Sequence, residues 1–348
     1  MVAQTSAIGS ANLEQKVDGL FEPFSRSNTP GAAIMVIRDG RPLLAKAYGL
    51  ADLEARVPCA TNTNFRLASV TKQFTAMAIL LLAERKLLTL DQTLTDFFPE
   101  FPAYGRQITV RQLLNHTSGL LDYEDLIPRG TAIPVLDRDV LRLLLQQDKT
   151  IFAPGSKYQY SNSGYALLAL IIEVCSRTSC AHFLRQNIFQ PLGMINTVAY
   201  EQGLAIVPNR AFGYSAEGDH FKRTDQSLTS SVLGDGGIYS SITDLYKWDQ
   251  ALYTGKLINR RWLKQAFTAG PVTDHPGTGY GFGWYVGSYR GLKEIWHSGN
   301  TVGFTTRIAR YPEQTFTVII LSNRQAADLA EIPHKLVDWC VFEANGKH

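Results

Sequence analysis

The sequence predicts an α/β protein: an antiparallel sheet flanked by helices and interrupted by a large inserted all-helical domain. Three observations predict it. Runs with strand character lie near both ends of the chain, at Ala32 to Tyr48 and again from Tyr280 to Leu321. Helical periodicity fills most of the interval. No internal repeat or low-complexity linker divides the chain into beads on a string, so the helical block is read as an insertion. Residues 1–65 and 230–348 form the α/β part and 66–229 the inserted, mostly helical part, with the candidate site between them.

Taken in order, Leu13, Val17, Leu20, Phe21 and Phe24 recur at helical spacing and predict an amphipathic N-terminal helix, ended by Pro30-Gly31. Ala32 to Ile37 and Leu43 to Tyr48 flank Asp39-Gly40, a pair suited to a tight hairpin turn. Turn formers from Gly49 to Asn64 lead to Phe65 through Met77, the first turns of a buried helix that stays apolar to Leu82. Thr109 with Gln112 fits a capping box ahead of Leu113 and Leu114, and Asn115 to Gly119 stops that helix. Val140 to Gln147 is another helix. After Pro154-Gly155, Tyr165, Leu168, Ala169 and Ile172 share one helical face, and Phe183 to Phe189 continues in the same manner. Ser241 and Asp244 begin a second capping box before Leu245 to Leu252. Tyr280 to Val286, Glu294 to His297, Phe304 to Tyr311 and Thr315 to Leu321 read as antiparallel strands, with Pro312-Glu313-Gln314 turning the last pair. Glu331 to Glu343 closes the chain as a helix.

Composition excludes several partner classes. A chain of 348 residues, 45% hydrophobic and 19% charged, has the make-up of an ordinary globular protein with a substantial core. A net charge of +3 without a long basic run gives no argument for nucleic acid. Ala76 to Ala83, the longest apolar stretch of the Ser69 helix, is about half the length a membrane span needs. Cys175 and Cys180 flank a short turn where a bridge is possible, but buried thiols are the preferred reading of all four cysteines. No Cys-x-x-Cys or His-x-x-x-His spacing supports zinc, so neither a metal nor a cofactor is expected. Met1 to Ala7 lacks the basic start and apolar run of a signal peptide. Its small, polar residues resemble the start of an exported chain whose signal has been removed, which favours a periplasmic or secreted location over a cytosolic enzyme with a loose tail.

Ser69 and Lys72, three apart, stand one above the other on a helix face. A serine hydroxyl is a poor nucleophile until a neighbour takes its proton, and lysine can do so only when uncharged. Burial and the positive end of a helix both lower a lysine pKa. A serine in the first turn also offers its own N–H as half of an oxyanion hole. Alone, Ser-x-x-Lys arises by chance roughly once in a chain of ordinary composition. Tyr160-Ser161-Asn162 lies directly before a helix, where a tyrosine can shuttle a proton and an asparagine amide can hold a substrate carbonyl. The competing reading is a packed loop tyrosine with an N-capping asparagine. His297-Ser298-Gly299 ends a strand; the glycine permits close backbone approach, and Asn300 offers a second oxyanion N–H. The other His-x-Gly, His275-Pro276-Gly277, lies in a loop without strand context and is set aside. The remaining histidines, His116, His182, His220, His334 and His348, receive structural or surface readings.

Taken together, Ser-x-x-Lys, Tyr-x-Asn and a strand-borne His-x-Gly, in that order, resemble the serine β-lactamase and penicillin-binding-protein superfamily. The form is similar to class C β-lactamases, D-alanyl-D-alanine carboxypeptidases, D-aminopeptidases and the esterases of that fold. Leu113 to Leu120, Pro191 to Met194 and Gly236 to Ser240 support the resemblance, which runs from about residue 20 to 340. It implies a β-lactamase/transpeptidase-like fold and catalytic roles for Ser69, Lys72, Tyr160 and His297. Ser69 would attack the carbonyl while Lys72 and Tyr160 share its proton. Asn162, Ser298, Gly299 and Asn300 would bind substrate, with the Ser69 and Asn300 N–H groups on the oxyanion. His297 stands where the family usually has lysine, and no Lys-x-Gly occurs in this chain. A histidine is neutral for much of the time near pH 7, so fixed positive charge is weakened there.

The expectation is a metal-free serine hydrolase that forms an acyl-enzyme with a small-molecule or short-peptide substrate: a D-amino-acid amide, a peptide or a small ester. A β-lactamase is the second reading, demoted by the missing lysine. A catalytically silent binding or scaffold member is the third, opposed by the intact Ser69, Lys72 and Tyr160. Substrate choice is expected from the loops Leu121 to Arg129 and Pro208 to Thr229, where Tyr123 and Tyr214 are aromatic candidates.

Overall fold

Ala32–Arg38 (β1) is apolar and buried at six of its seven positions, a pattern a strand adopts where layers cover both faces of its sheet. The computed structural model, which describes residues 12–201, 206–273 and 277–343, supplies both layers. β1 turns into Arg41–Tyr48 (β2) through Asp39 and Gly40, both at positive φ (51° and 75°), as the tight turn requires. The sheet is completed from the far end of the chain by Gly279–Tyr280 (β3), Tyr285–Tyr289 (β4), Leu292–Thr301 (β5), Phe304–Tyr311 (β6) and Phe316–Ser322 (β7). Their order is β3-β4-β5-β6-β7-β1-β2, antiparallel at every junction.

Side chains alternate between two cores. Ala33, Met35 and Ile37 of β1 face one, with the helices Lys72–Glu84 (α1), Asn162–Ser176 (α2) and Ile242–Ala251 (α3). Ala32, Ile34 and Val36 face the other, where Val17 and Phe21 near the N-terminus meet Leu336 and Val341 near the C-terminus. α1 is the centre of the first core. Every residue from Lys72 to Ala83 is buried, which marks a helix enclosed on all sides.

Several expectations shift in register. Ser69 lies in a 3-10 turn, Ala68–Thr71, and the α-helix begins only at Lys72. The single strand expected at Tyr280 to Val286 is two, β3 and β4, because the chain bends at Gly283 (φ 78°). A side chain at Gly283 would come within 2.7 Å of the Lys72 carbonyl oxygen, so the bend presses against the start of α1. The helix expected at Val140 to Gln147 runs Asp137–Leu145. Thr109 and Gln112 form the expected capping box, whereas Ser241 caps α3 with its own hydroxyl and Asp244 instead bonds the Asn196 N–H and Thr197. The inserted part is helical through Phe189. It also holds the hairpin Tyr214–Glu217 with His220–Arg223, turned at Gly218 (φ 62°), and the strand Val198–Ala199. That strand joins Phe65–Arg66 and Ile238–Ser240 in a small three-stranded sheet beneath Ser69.

All four cysteines are free, so the possible bridge between Cys175 and Cys180 is not made. Among the described residues no single helix is long and apolar enough to cross a membrane. Met1 to Ala7, His275 and His348 lie outside the described residues.

One buried ion pair ties the helical layer to the sheet. Arg310 Nε on β6 lies 2.6 Å from Asp249 Oδ1 on α3, and Thr317 Oγ1 on β7 donates to the same oxygen at 2.9 Å. Removing one partner strands the other charge in the core. Asp249→Ala is therefore expected to cost about 3–5 kcal/mol, measured as a lowered denaturation midpoint; a cost under about 1 kcal/mol, the range of an exposed pair, would contradict this account.

Candidate active site

Ser69 is held by backbone tied down on several sides. After Phe65–Arg66 pairs with Ile238–Ser240, the Leu67 N–H donates to the Ile238 carbonyl at 2.8 Å. Ala68 then takes a positive φ of 49°, a conformation that costs a residue with a Cβ about 1–2 kcal/mol. Its surroundings enforce it. Thr306 Oγ1 on β6 donates to the Leu67 carbonyl at 2.7 Å, and the Ile238 N–H donates to Thr71 Oγ1 at 3.2 Å. Gly299 on β5 lies against the same turn, where a Cβ would be 2.2 Å from the Leu67 carbonyl oxygen. β4 pairs with β5 only as far as Trp296. The β5 edge from His297 to Thr301 thus has no strand partner on that side, and Gly299 brings it against Ala68.

Lys72 is fully buried, and its Nζ meets three uncharged acceptors: Ser69 Oγ at 3.2 Å, Asn162 Oδ1 at 2.9 Å and the Asp235 carbonyl at 2.9 Å. The rings of Tyr160 and Tyr165 lie 4.9 and 5.5 Å from it. Burial lowers its pKa to about 8, against the opposing pull of Asp235, Tyr285, Asp122 and Glu124. The ammonium form can donate to all three acceptors. Once uncharged, the amine has a lone pair for the Ser69 proton. Asn162 reaches Lys72 because Ser161, not Asn162, caps α2, its hydroxyl accepting the Gly164 N–H at 3.3 Å.

Tyr160 is half-buried beside Ser69, and its enclosed hydroxyl makes no hydrogen bond of standard geometry. Burial raises its pKa, and the nearby Ser69 hydroxyl opposes that only in part, so the phenol holds its proton. A loose contact of this kind is common before substrate draws the groups together. The Tyr160 ring lies over His116 with centroids 4.2 Å apart, and His116 Nδ1 accepts the Ser161 N–H at 3.1 Å. The structural reading of His116 therefore understates it: this buried, neutral imidazole is the floor under Tyr160. Its signal in the sequence was the stretch around Asn115-His116-Thr117, which shows no chemistry until the fold closes.

His297 is locked in one tautomer. Its Nδ1 lies 2.7 Å from the Ser298 carbonyl, which can only accept, so that nitrogen carries the proton and Nε2 accepts from the Tyr280 hydroxyl at 2.9 Å. Burial first, then Lys72, holds its pKa near 3. The partial positive charge allowed for His297 is therefore absent at neutral pH. Alternation along β5 places His297 and Gly299 on one face and Ser298 and Asn300 on the other.

The narrow, open cleft over Ser69 is lined by Arg66, Ala68, Tyr123, Glu124, Asn162, Thr229, Asp235, Asn300 and Thr301. Arg66 is buried and donates to the Ser230 and Gly236 carbonyls at 2.6 and 3.2 Å. Glu124 stands at the mouth, its Oε1 3.5 Å from Asn162 Nδ2. The expected loops thus contribute Tyr123, Glu124 and Thr229. Tyr214 does not join them: its hydroxyl accepts the Leu53 N–H at 2.8 Å, away from the cleft. Among the described residues no group of three or more His, Cys, Asp or Glu side chains could hold a metal ion.

Comparison with known proteins gives a consistent set. The sequence model of the Beta-lactamase family matches residues 13–337. Penicillin-binding protein 4* of Bacillus subtilis (strain 168) is 32% identical over 329 residues, which cover 90% of this chain and 72% of that protein. The octameric penicillin-binding protein homologue from Pyrococcus abyssi superposes with a TM-score of 0.81 at 27% identity, covering 97% of this chain and 78% of the other. D-amino acid amidase from Ochrobactrum anthropi SV3, solved with L-phenylalanine amide, gives 0.80 at 26% identity, covering 96% and 99%.

The Lys72 environment makes a direct prediction. If labelling of Ser69 by a fluorophosphonate depends on uncharged Lys72, its rate should rise with pH through a midpoint near 8. Intact-mass kinetics would show it, and a midpoint near the unperturbed lysine value of about 10.4 would mean that burial does not tune this amine.

Proposed function

The chain belongs to the Beta-lactamase family, and from that membership we propose that it hydrolyses small amides of the D-amino-acid type, and small esters, through an acyl-enzyme on Ser69. The observation that carries this reading is the buried Lys72 amine 3.2 Å from the Ser69 hydroxyl, its pKa brought down to about 8. Uncharged Lys72 takes the Ser69 proton as Oγ bonds to the substrate carbonyl carbon. The Ser69 and Asn300 N–H groups hold the oxyanion, and Asn162 orients the amide. Tyr160 relays the proton to the leaving amine or alcohol as the C–N or C–O bond breaks. Water then attacks the ester carbonyl, returning the acid product and free Ser69.

Charge selects among substrates. His297 is neutral, Arg66 is committed to two carbonyls, and Glu124 is the acid at the mouth of the cleft. A carboxylate beside the scissile bond, as in penicillins and cephalosporins, meets the like charges of Glu124 and Asp235 and, among the described lining residues, no free cation. A free ammonium beside the scissile bond has Glu124 as its partner. The likeness to a D-amino acid amidase supports the same direction.

A panel of D- and L-phenylalanine amide, a p-nitrophenyl ester and a chromogenic cephalosporin, each with a Ser69→Ala control, tests the reading. Turnover of the D-amide and the ester is expected, with slow or no cephalosporin hydrolysis and all activity lost in Ser69→Ala. Glu124→Gln should raise KM for the amide about two- to fivefold, the scale of an exposed ion pair, and leave the uncharged ester unchanged. Cephalosporin turnover matching the ester would reverse the substrate order.

A further inference from the structure

Asp235 is a buried acid to which the steps above give no role. It lies in the short helix Leu233–Gly236 and is 7% exposed. Its carbonyl accepts from Lys72 Nζ at 2.9 Å, and its carboxylate Oδ2 accepts from the Tyr123 hydroxyl at 3.1 Å. The segment is fixed from three sides. The Asp137 carboxylate accepts the Leu233 and Gly234 N–H groups, both at 2.9 Å. Thr75 Oγ1 of α1 donates to the Gly234 carbonyl at 2.7 Å. Gly234 also lies flush on α2, where a Cβ would be 2.2 Å from the Tyr165 carbonyl oxygen. Tyr123 is anchored in turn: its N–H donates to Ser163 Oγ at 2.8 Å, on the helix that carries Asn162.

We propose that Asp235 is a positioning residue for the serine–lysine reaction: its carbonyl fixes Lys72 beside Ser69, and its carboxylate, held by Tyr123, sets how readily Lys72 gives up its proton. The proposal rests on the acyl-enzyme reading above.

The charges around the pair support it. Lys72 faces Asp235 from this segment, Asp122 and Glu124 from the loop entering Tyr123–Leu126, and Tyr285 from β4. It also faces the phenols Tyr160 and Tyr165 and the neutral imidazoles His116 and His297. Asp235 is the largest influence favouring the ammonium against burial. Asp235 itself faces Lys72, Tyr123, Arg66, Glu124 and Asp137. Burial raises its pKa to about 6, opposed by Lys72, the Tyr123 hydrogen bond and Arg66. Above that pH it is an anion beneath the lysine. Neutralising it removes support from the ammonium, so Lys72 becomes an uncharged base at lower pH.

The test is the pH dependence of kcat/KM for a p-nitrophenyl ester in the wild type, Asp235→Asn, Tyr123→Phe and Ser69→Ala. Asp235→Asn keeps the carbonyl and the shape of the side chain. Its acid limb should move to lower pH by roughly one unit, the low end of the effect of a nearby opposite charge. Tyr123→Phe leaves the Asp235 carboxylate ionised across that limb, so its limb should stay near the wild-type position. A folded Asp235→Asn whose limb stays in place, or whose rate falls equally at every pH, would overturn the proposal. If Asp235→Asn does not fold, Asp235→Ser, which also removes the charge and keeps the carbonyl, takes its place, and an unmoved limb there overturns it. Turnover by Ser69→Ala would instead remove the acyl-enzyme reading, so the two failures are distinguishable.

Discussion

The structure depends on keeping one amine dry. Lys72 sits at the first turn of a helix buried on all sides, and no carboxylate forms a salt bridge with it. Taking a charge out of water is costly unless it is paired or gives up its proton. Here the three oxygens around Nζ are uncharged, so the amine is stabilised enough to be located and not enough to stay fully protonated. The fold supplies those oxygens from three separate stretches: the turn before α1, the first residue of α2 and the segment before Ile238–Ser240. No pair of adjacent elements could bring them together.

That requirement explains where backbone strain is stored. Ala68 occupies a left-handed conformation next to Ser69, and two neighbouring strands of the large sheet close on the turn that holds it, through Gly299 from β5 and Thr306 from β6. Strain of this kind persists only where the surroundings over-determine it. The outer core, with Val17, Phe21 and Leu336, covers the other face of the same sheet.

Much of this was legible in the sequence and some was not, for physical reasons. β1, β2, β6 and β7 announced themselves by short apolar runs and by the Asp39-Gly40 and Pro312 turns, signals confined to neighbouring residues. Ser69, Lys72, Tyr160 and Asn162 were singled out because their spacing forms a pattern across the chain, and the fold brings them together. Asp235 and Glu124 were missed. Their importance comes from what faces them, and one acid in a glycine-rich stretch or an exposed turn carries no signal of its partners. Tyr280 was read as a strand residue. Its hydroxyl fixes the His297 tautomer only because the chain bends at Gly283, a bend set by close packing on α1 and not by local propensity.

Burial has several consequences here, and they act together. The same desolvation that lowers Lys72 pushes the Tyr160 phenol up and both imidazoles down. His116 and His297 are thus removed from acid–base chemistry near neutral pH, although histidine is the residue most often suited to it. A proton leaving Ser69 finds Lys72 within hydrogen-bond distance and Tyr160 beside it. Neither imidazole has its lone pair free for it: His297 Nε2 is already bonded to Tyr280, and His116 Nδ1 to the Ser161 N–H. A charged histidine in place of either would raise the electrostatic cost of every ammonium state nearby. The two neutral rings thus do more than fill space. They are walls of low polarity that leave the amine–hydroxyl pair as the cheapest route for the proton.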